Sequence, residues 1–215
     1  MRFIPKIDDT CIACIFTPYA LSISHWIPHK NKTLLSDYVR IPLSNGELEH
    51  MTLCNPTAIQ QHLRYFIDRN NAQHALTLYA LNGPSVDEAI QSVSTRGAES
   101  CYLYHHNDCP IEYACALHPA ILAQYQLLAI RLRIHLSMIT TPFIAMLKLY
   151  QSVYGSAFRH TQLSQDLRSH RHCIEDTFAD DLILRMVQVN QNVTIDLAKE
   201  QFFLLSSLGL FYLRR

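Results

Sequence analysis

The stretch Cys11-Ile-Ala-Cys-Ile-Phe-Thr-Pro-Tyr-Ala-Leu-Ser-Ile-Ser-His-Trp-Ile27 decides the fold. Cys11 to Phe16 is apolar at every position, as expected of a central strand covered on both faces. Ala20 to Ile27 alternates Leu21, Ile23 and His25 against Ser22, Ser24 and Trp26, a period of two that predicts a second strand. The turn between them is Phe16-Thr17-Pro18-Tyr19. Downstream, the polar run Pro28-His29-Lys30-Asn31-Lys32 predicts a turn into a third strand, Leu34 to Leu43, where Tyr38, Val39 and Ile41 are β-formers. Pro42 and Ser44-Asn45-Gly46 close it, leaving a three-stranded meander.

Asn55 followed by Pro56 is an N-cap and first-turn pair. Ile59, Leu63, Phe66 and Ile67 then recur at helical spacing up to Asn70-Asn71. His74 to Leu81 reads as a fourth strand, broken by Asn82-Gly83-Pro84. Three strands, a helix and a strand predict an α/β ribonuclease-H-like half, the unit on which actin-like ATPases are built. A short helix at Val86 to Val93 and two strands, Ser100 to Tyr104 and Ile111 to His118, predict a small subdomain inserted at about residues 84–118.

Pro119 opens a helix striped by Ile121, Leu122, Tyr125, Leu128 and Ala129, and Arg133 to Ile139 follows as a strand, so a β-α-β crossover is expected. Thr141-Pro142 starts a helix with Phe143, Leu147 and Tyr150 on one side. Beyond Gly155 the pattern is helical: a polar segment to Arg171, a helix from Asp176 to Val189, and a last helix from Asp196. The expected organisation is therefore a first domain over residues 1–152 and a helical C-terminal segment, 153–215, packing back on it.

Composition narrows the function classes. Eighteen Lys and Arg balance eighteen Asp and Glu, so no net field draws in nucleic acid or an anionic membrane. The five glycines, Gly46, Gly83, Gly97, Gly155 and Gly209, are all isolated, and no Gly-rich phosphate loop can be written. The seven cysteines, an odd number, form no dense framework, which fits reduced thiols in a cytosol better than disulfides. The N-terminus carries no apolar run of signal-peptide length. The apolar tail Phe202 to Leu213 falls short of the roughly twenty residues that span a bilayer, and predicts a buried helix instead.

The first turn carries the most chemistry. In actin-like ATPases it is small and Gly/Ser-rich, because backbone N–H groups must close around a phosphate. Here Pro18 has no N–H to give and Phe16 fills the space. Cys11, Cys14, His25 and His29 nearly spell a zinc site, but their inner spacing is short and an odd offset puts Cys11 and Cys14 on opposite faces of a strand. His105, His106, Asp108 and Cys109 form one loop cluster of competent ligands, and His170, His172, Cys173 and Asp176 another. A two-metal nuclease on this fold needs carboxylates on the first strand, first helix and fourth strand, whereas only Asp68 at the helix end is offered. No GxSxG elbow is present. No catalytic, cofactor-binding or metal-binding residue is therefore assigned.

Several passages, in order, resemble the PilM family of actin-like type IV pilus assembly proteins. They are Val39-Arg-Ile-Pro-Leu-Ser-Asn-Gly46 with Asn55 to Ile67, then Thr77-Leu-Tyr-Ala-Leu-Asn-Gly-Pro84, Tyr125 to Thr140, and Leu208-Gly-Leu-Phe-Tyr-Leu-Arg214. The resemblance covers about residues 10–152 plus the tail. Where that family has an acidic residue and glycines, this chain has Ala13, Cys14 and Phe16, and no second Asp/Gly strand and turn follows Gly155. The resemblance implies a truncated, degenerate, non-catalytic cytoplasmic scaffold that holds no cofactor and sits at the inner membrane through a partner. That partner would be a single-pass pilus or secretion protein offering its cytoplasmic N-terminal peptide, with nucleic acid and direct membrane insertion excluded and homo-oligomerisation left open. The competing expectations are a metal-dependent or Cys/His hydrolase, and an unrelated cytosolic interaction domain.

Overall fold

Apolar side chains on alternate sides of one strand build two cores, one on each face of a sheet. The computed structural model describes residues 8–30, 32–44, 46–49, 51–81, 102–104, 115–117, 119–154, 186–196 and 199–213. Strand β1 (Asp8–Thr17) sends Cys11, Ala13 and Ile15 into one core and Ile12, Cys14 and Phe16 into the other, all at most 1 % exposed. It pairs antiparallel with β2 (Ala20–His29), which pairs antiparallel with β3 (Lys32–Pro42). On its other side β1 pairs parallel with β6 (Ala75–Leu81), and β6 pairs parallel with β9 (His135–Thr140). An antiparallel meander continued by two parallel strands, in the order β3-β2-β1-β6-β9, is the ribonuclease-H-like arrangement. The expected α/β fold is present.

Helix α1 (Pro56–Arg69) starts where Asn55 predicts, with the Asn55 side chain accepting from the Ala58 N–H at 3.2 Å. It buries Ile59, Leu63, Phe66 and Ile67, the four residues of the sequence stripe. Each such side chain contributes about 1.5–3 kcal/mol on leaving water. Helix α2 (Pro119–Leu132) lies in the same layer, burying Tyr125, Leu128 and Ala129. Helices α3 (Pro142–Tyr154) and α4 (Gln201–Leu213) cover the opposite face with Ala145, Met146, Leu149, Leu204, Leu208 and Phe211.

Three expectations need correction, and one element is new. Val187–Val189 is not the end of a helix but strand β10, parallel to Thr33–Leu35 of β3. Two β-branched residues flank exposed Gln188 while Val187 is buried, and the unpaired outer edge of β3 supplies the ladder. The Asn190 N–H then donates to Leu35 O at 3.0 Å and its side chain to Ser36 O at 3.2 Å. The last helix begins at Gln201 rather than Asp196, after a turn in which Glu200 N–H donates to Asp196 O at 3.0 Å. The β2–β3 turn is tight, with His29 paired to Lys32 and Lys30 at φ 51°, where a five-residue turn was expected. Finally, Leu48–Glu49 (β4) and Thr52–Leu53 (β5) form a small hairpin with Met51 at φ 67° that no periodicity announced.

Tyr102–Tyr104 (β7) and Cys115–Leu117 (β8) pair antiparallel, within the two strands expected there; residues 100–101, 111–114 and 118 lie outside the described residues. The helix expected at Val86 to Val93, the turn at His105 to Asp108 and the segment from Gly155 to Arg185 lie outside the described residues.

Candidate functional site

In open α/β sheets ligands bind outside the carboxyl ends of the parallel strands. Here those ends are Phe16-Thr17 of β1, Ala80-Leu81 of β6 and Ile139-Thr140 of β9, placed side by side by the pairs Phe16 with Leu81 and Ala80 with Thr140. The β1–β2 turn closes on itself. Thr17 Oγ1 accepts from the Ala20 N–H at 3.0 Å and donates to Ala20 O at 2.9 Å. One turn N–H is thereby consumed, and Pro18 supplies none.

Behind the turn Phe16 is sealed. Its ring stands edge-on to Tyr79 at 5.1 Å and to Tyr125 at 5.0 Å, and the two tyrosines lie 6.1 Å apart. Such pairs add about 0.5–1.5 kcal/mol each beyond area burial. The Tyr125 hydroxyl donates to Met51 O at 2.9 Å, tying α2 to the β4–β5 hairpin. The Tyr79 hydroxyl is buried with no partner; burial first, then Cys14 and Tyr125, push its pKa well up, so it stays neutral. Burial likewise raises the Cys14 thiol, with Cys11 adding to the effect.

Among the described residues no carboxylate stands at the carboxyl ends of these three strands. Asp8 and Asp9 start β1 at its far end, β6 and β9 carry none, and Asp68 is exposed in the last turn of α1, accepting from Gln73 at 3.2 Å. The Cys/His constellation is also split: Cys11 belongs to one core and Cys14 to the other, so the sheet separates the two thiols. Among the described residues no three His, Cys, Asp or Glu side chains gather for a metal. The clusters at His105, His106, Asp108 and Cys109 and at His170, His172, Cys173 and Asp176 lie outside the described residues.

Sequence reasoning missed a polar cluster at the C-terminal end of α1. Asp37 sits opposite His25 where the β2–β3 register shifts. Its Oδ2 accepts from Arg69 Nε at 2.9 Å, from Arg69 Nη2, and from Asn70 Nδ2 at 2.7 Å, while Oδ1 accepts from the Tyr38 N–H at 2.8 Å. His25, buried beneath, has neither ring nitrogen hydrogen-bonded in good geometry. Desolvation lowers its pKa, opposed by the neighbouring Asn70 amide and Asp37 carboxylate. An aspartate among the β-formers Tyr38, Val39 and Ile41 was the available signal.

On the other face of β3, Glu200 accepts from the Tyr38 hydroxyl at 2.6 Å and pairs with Arg40 at 3.3 Å, and the Arg40 guanidinium lies 4.5 Å from the centre of the Phe203 ring. This anchors the start of α4 to the meander. Burial and the Glu200 bond raise the Tyr38 pKa, keeping that hydroxyl a donor.

No family model matches the chain, and no curated protein matches it. Among solved structures the fold is similar to a chain of a PilM-PilN type IV pilus biogenesis complex, at TM-score 0.47 and 14 % identity over 69 % of this chain and 52 % of that one. This chain thus spans about half the length of that relative. It is also similar to Thermus thermophilus RuvC, at TM-score 0.44 and 10 % identity over 95 % of both chains. The fold assignment itself rests on the strand order and register described above.

Proposed function

We propose that this chain is a non-catalytic adaptor that has kept a nucleotide-binding architecture and lost the nucleotide. The observation that carries the reading is the β1–β2 turn, where Thr17 closes on Ala20, Pro18 offers no N–H and Phe16 is sealed between Tyr79 and Tyr125. Anion sites on such folds depend on clustered backbone donors. Among the described residues no carboxylate stands at the carboxyl ends of β1, β6 and β9, which weighs against two-metal chemistry in the same crevice.

The assembly is a type IV pilus or related secretion machine, and the ligand is the cytoplasmic N-terminal peptide of a single-pass inner-membrane protein. This part is supported by the order of the sequence passages that resemble the PilM family. Such a peptide docks by laying apolar anchors into a groove or by extending a sheet edge, and neither mode needs a catalytic residue. The test is affinity capture from native membranes. The expected result is recovery of a single-pass pilus or secretion component that is released by its own N-terminal peptide, whereas enrichment of soluble metabolic proteins alone would refute the reading.

A further inference from the structure

Helix α2 runs Pro119-Ala-Ile-Leu-Ala-Gln-Tyr-Gln-Leu-Leu-Ala-Ile-Arg-Leu132, with no charge before Arg131. Its only other polar side chains besides Tyr125 are Gln124, which accepts from the Leu53 N–H at 2.9 Å, and the exposed Gln126. The helix buries Tyr125, Leu128 and Ala129 against the sheet, yet it holds Ile130 70 % exposed and Leu127 46 % exposed on its other side, with Ala123 exposed between them and the helix start.

Cations frame that side. Arg131 and Arg133 are exposed at the end of α2, and Arg64 reaches from α1 to donate to the Arg131 carbonyl oxygen at 3.1 Å. Three guanidinium-bearing residues therefore gather beside the exposed aliphatics, and among the described residues none of the three is held in an ion pair. Helix α2 has no carboxylate at all, and α1 has only Asp68.

We propose that this face rests on an anionic lipid surface, with Ile130 and Leu127 entering the boundary of the acyl chains and Arg64, Arg131 and Arg133 meeting lipid phosphates. Exposed aliphatic side chains flanked by arginines match the interfacial region of an anionic leaflet. A second copy is the poorer occupant, because a two-fold pairing across the patch brings guanidinium groups toward one another. The neutral net charge does not oppose this, since a local cluster acts within about one Debye length, ~8–10 Å in physiological salt. Two aliphatics and three cations give a weak, reversible attachment that orients the α1–α2 layer toward the bilayer, the kind of second contact that adds to capture by a membrane partner.

Flotation of the full chain with phosphatidylcholine vesicles, with and without about 30 % phosphatidylglycerol, tests it. The expected result is binding to the anionic vesicles only, reduced about fivefold or more by raising salt from roughly 0.1 to 0.5 M. Ile130→Ser and Arg131→Ser each lower binding by a similar factor, and Lys30→Asn, which removes an exposed cation at the β2–β3 turn, leaves it unchanged. Absence of flotation, equal binding to neutral vesicles, or an equal loss in Lys30→Asn would each overturn the proposal. So would salt-sensitive capture of an acidic protein by this face without any lipid binding.

Discussion

A methyl group placed on Gly209 of α4 would stand 2.0 Å from the carbonyl oxygen of Ala145 in α3, so the two helices cross at backbone contact. The obstacle is main chain and cannot swing aside. Gly209→Ala should therefore cost about 3 kcal/mol or more, at the upper end for overpacking, and lower Tm by roughly 6–12 °C in a chain of this size. Ala145→Gly in the same chain should not rescue it, because the clash is with the carbonyl rather than the methyl. A thermal melt of the single and double variants checks both statements.

His25 gives the fold an acid limit. Its folded pKa is depressed below 6.5 by desolvation. The unfolded chain therefore binds more protons just below that value, and stability is full above it and lost as pH falls through it. Between about pH 7.5 and 5.5 the urea midpoint should drop, with this group contributing at most ~1.4 kcal/mol per pH unit. His25→Leu should flatten that part of the profile. Parallel profiles for the two proteins would assign the acid sensitivity elsewhere.

Asp37 gathers Arg69, Asn70 and the Tyr38 N–H at one carboxylate. Asp37→Ala should cost about 1 kcal/mol by taking an acceptor from the Tyr38 N–H and the Asn70 amide, since Arg69 reaches water and the amide keeps Phe66 O. The loss should appear as faster hydrogen exchange over the last turn of α1, while the first turn, capped by Asn55, keeps its protection.

Phe16→Ala should cost about 3–5 kcal/mol, because the ring fills the space between Tyr79 and Tyr125 and its removal leaves a cavity. Denaturant unfolding measures it directly. A cost under ~1 kcal/mol would mean the aromatic seal is not a packed core.

Much of this layout was legible because it is local. Asn55-Pro56 and the spacing of Ile59, Leu63, Phe66 and Ile67 define α1 without reference to anything distant. The apolar run Cys11 to Phe16 announces a strand buried on both faces for the same reason. What escaped depends on long-range partners. Val187–Val189 becomes a strand only because Thr33–Leu35 leaves an edge to fill, and Glu200 meets Tyr38 across 162 positions. The His25–Asp37 cluster follows from a register shift between β2 and β3 that no periodicity predicts. The two-residue strands of the β4–β5 hairpin are too short to show a period. Of the candidate site, the proline turn was readable, whereas the tyrosines that lock Phe16 were not, because Tyr125 arrives from α2.

Titration calorimetry of the purified chain with ATP and magnesium tests the central claim most directly. A turn closed by Thr17 and Pro18 in front of a sealed Phe16 predicts no saturable heat and no hydrolysis. Saturable binding in the micromolar range would contradict the account and make nucleotide chemistry the leading reading of the crevice.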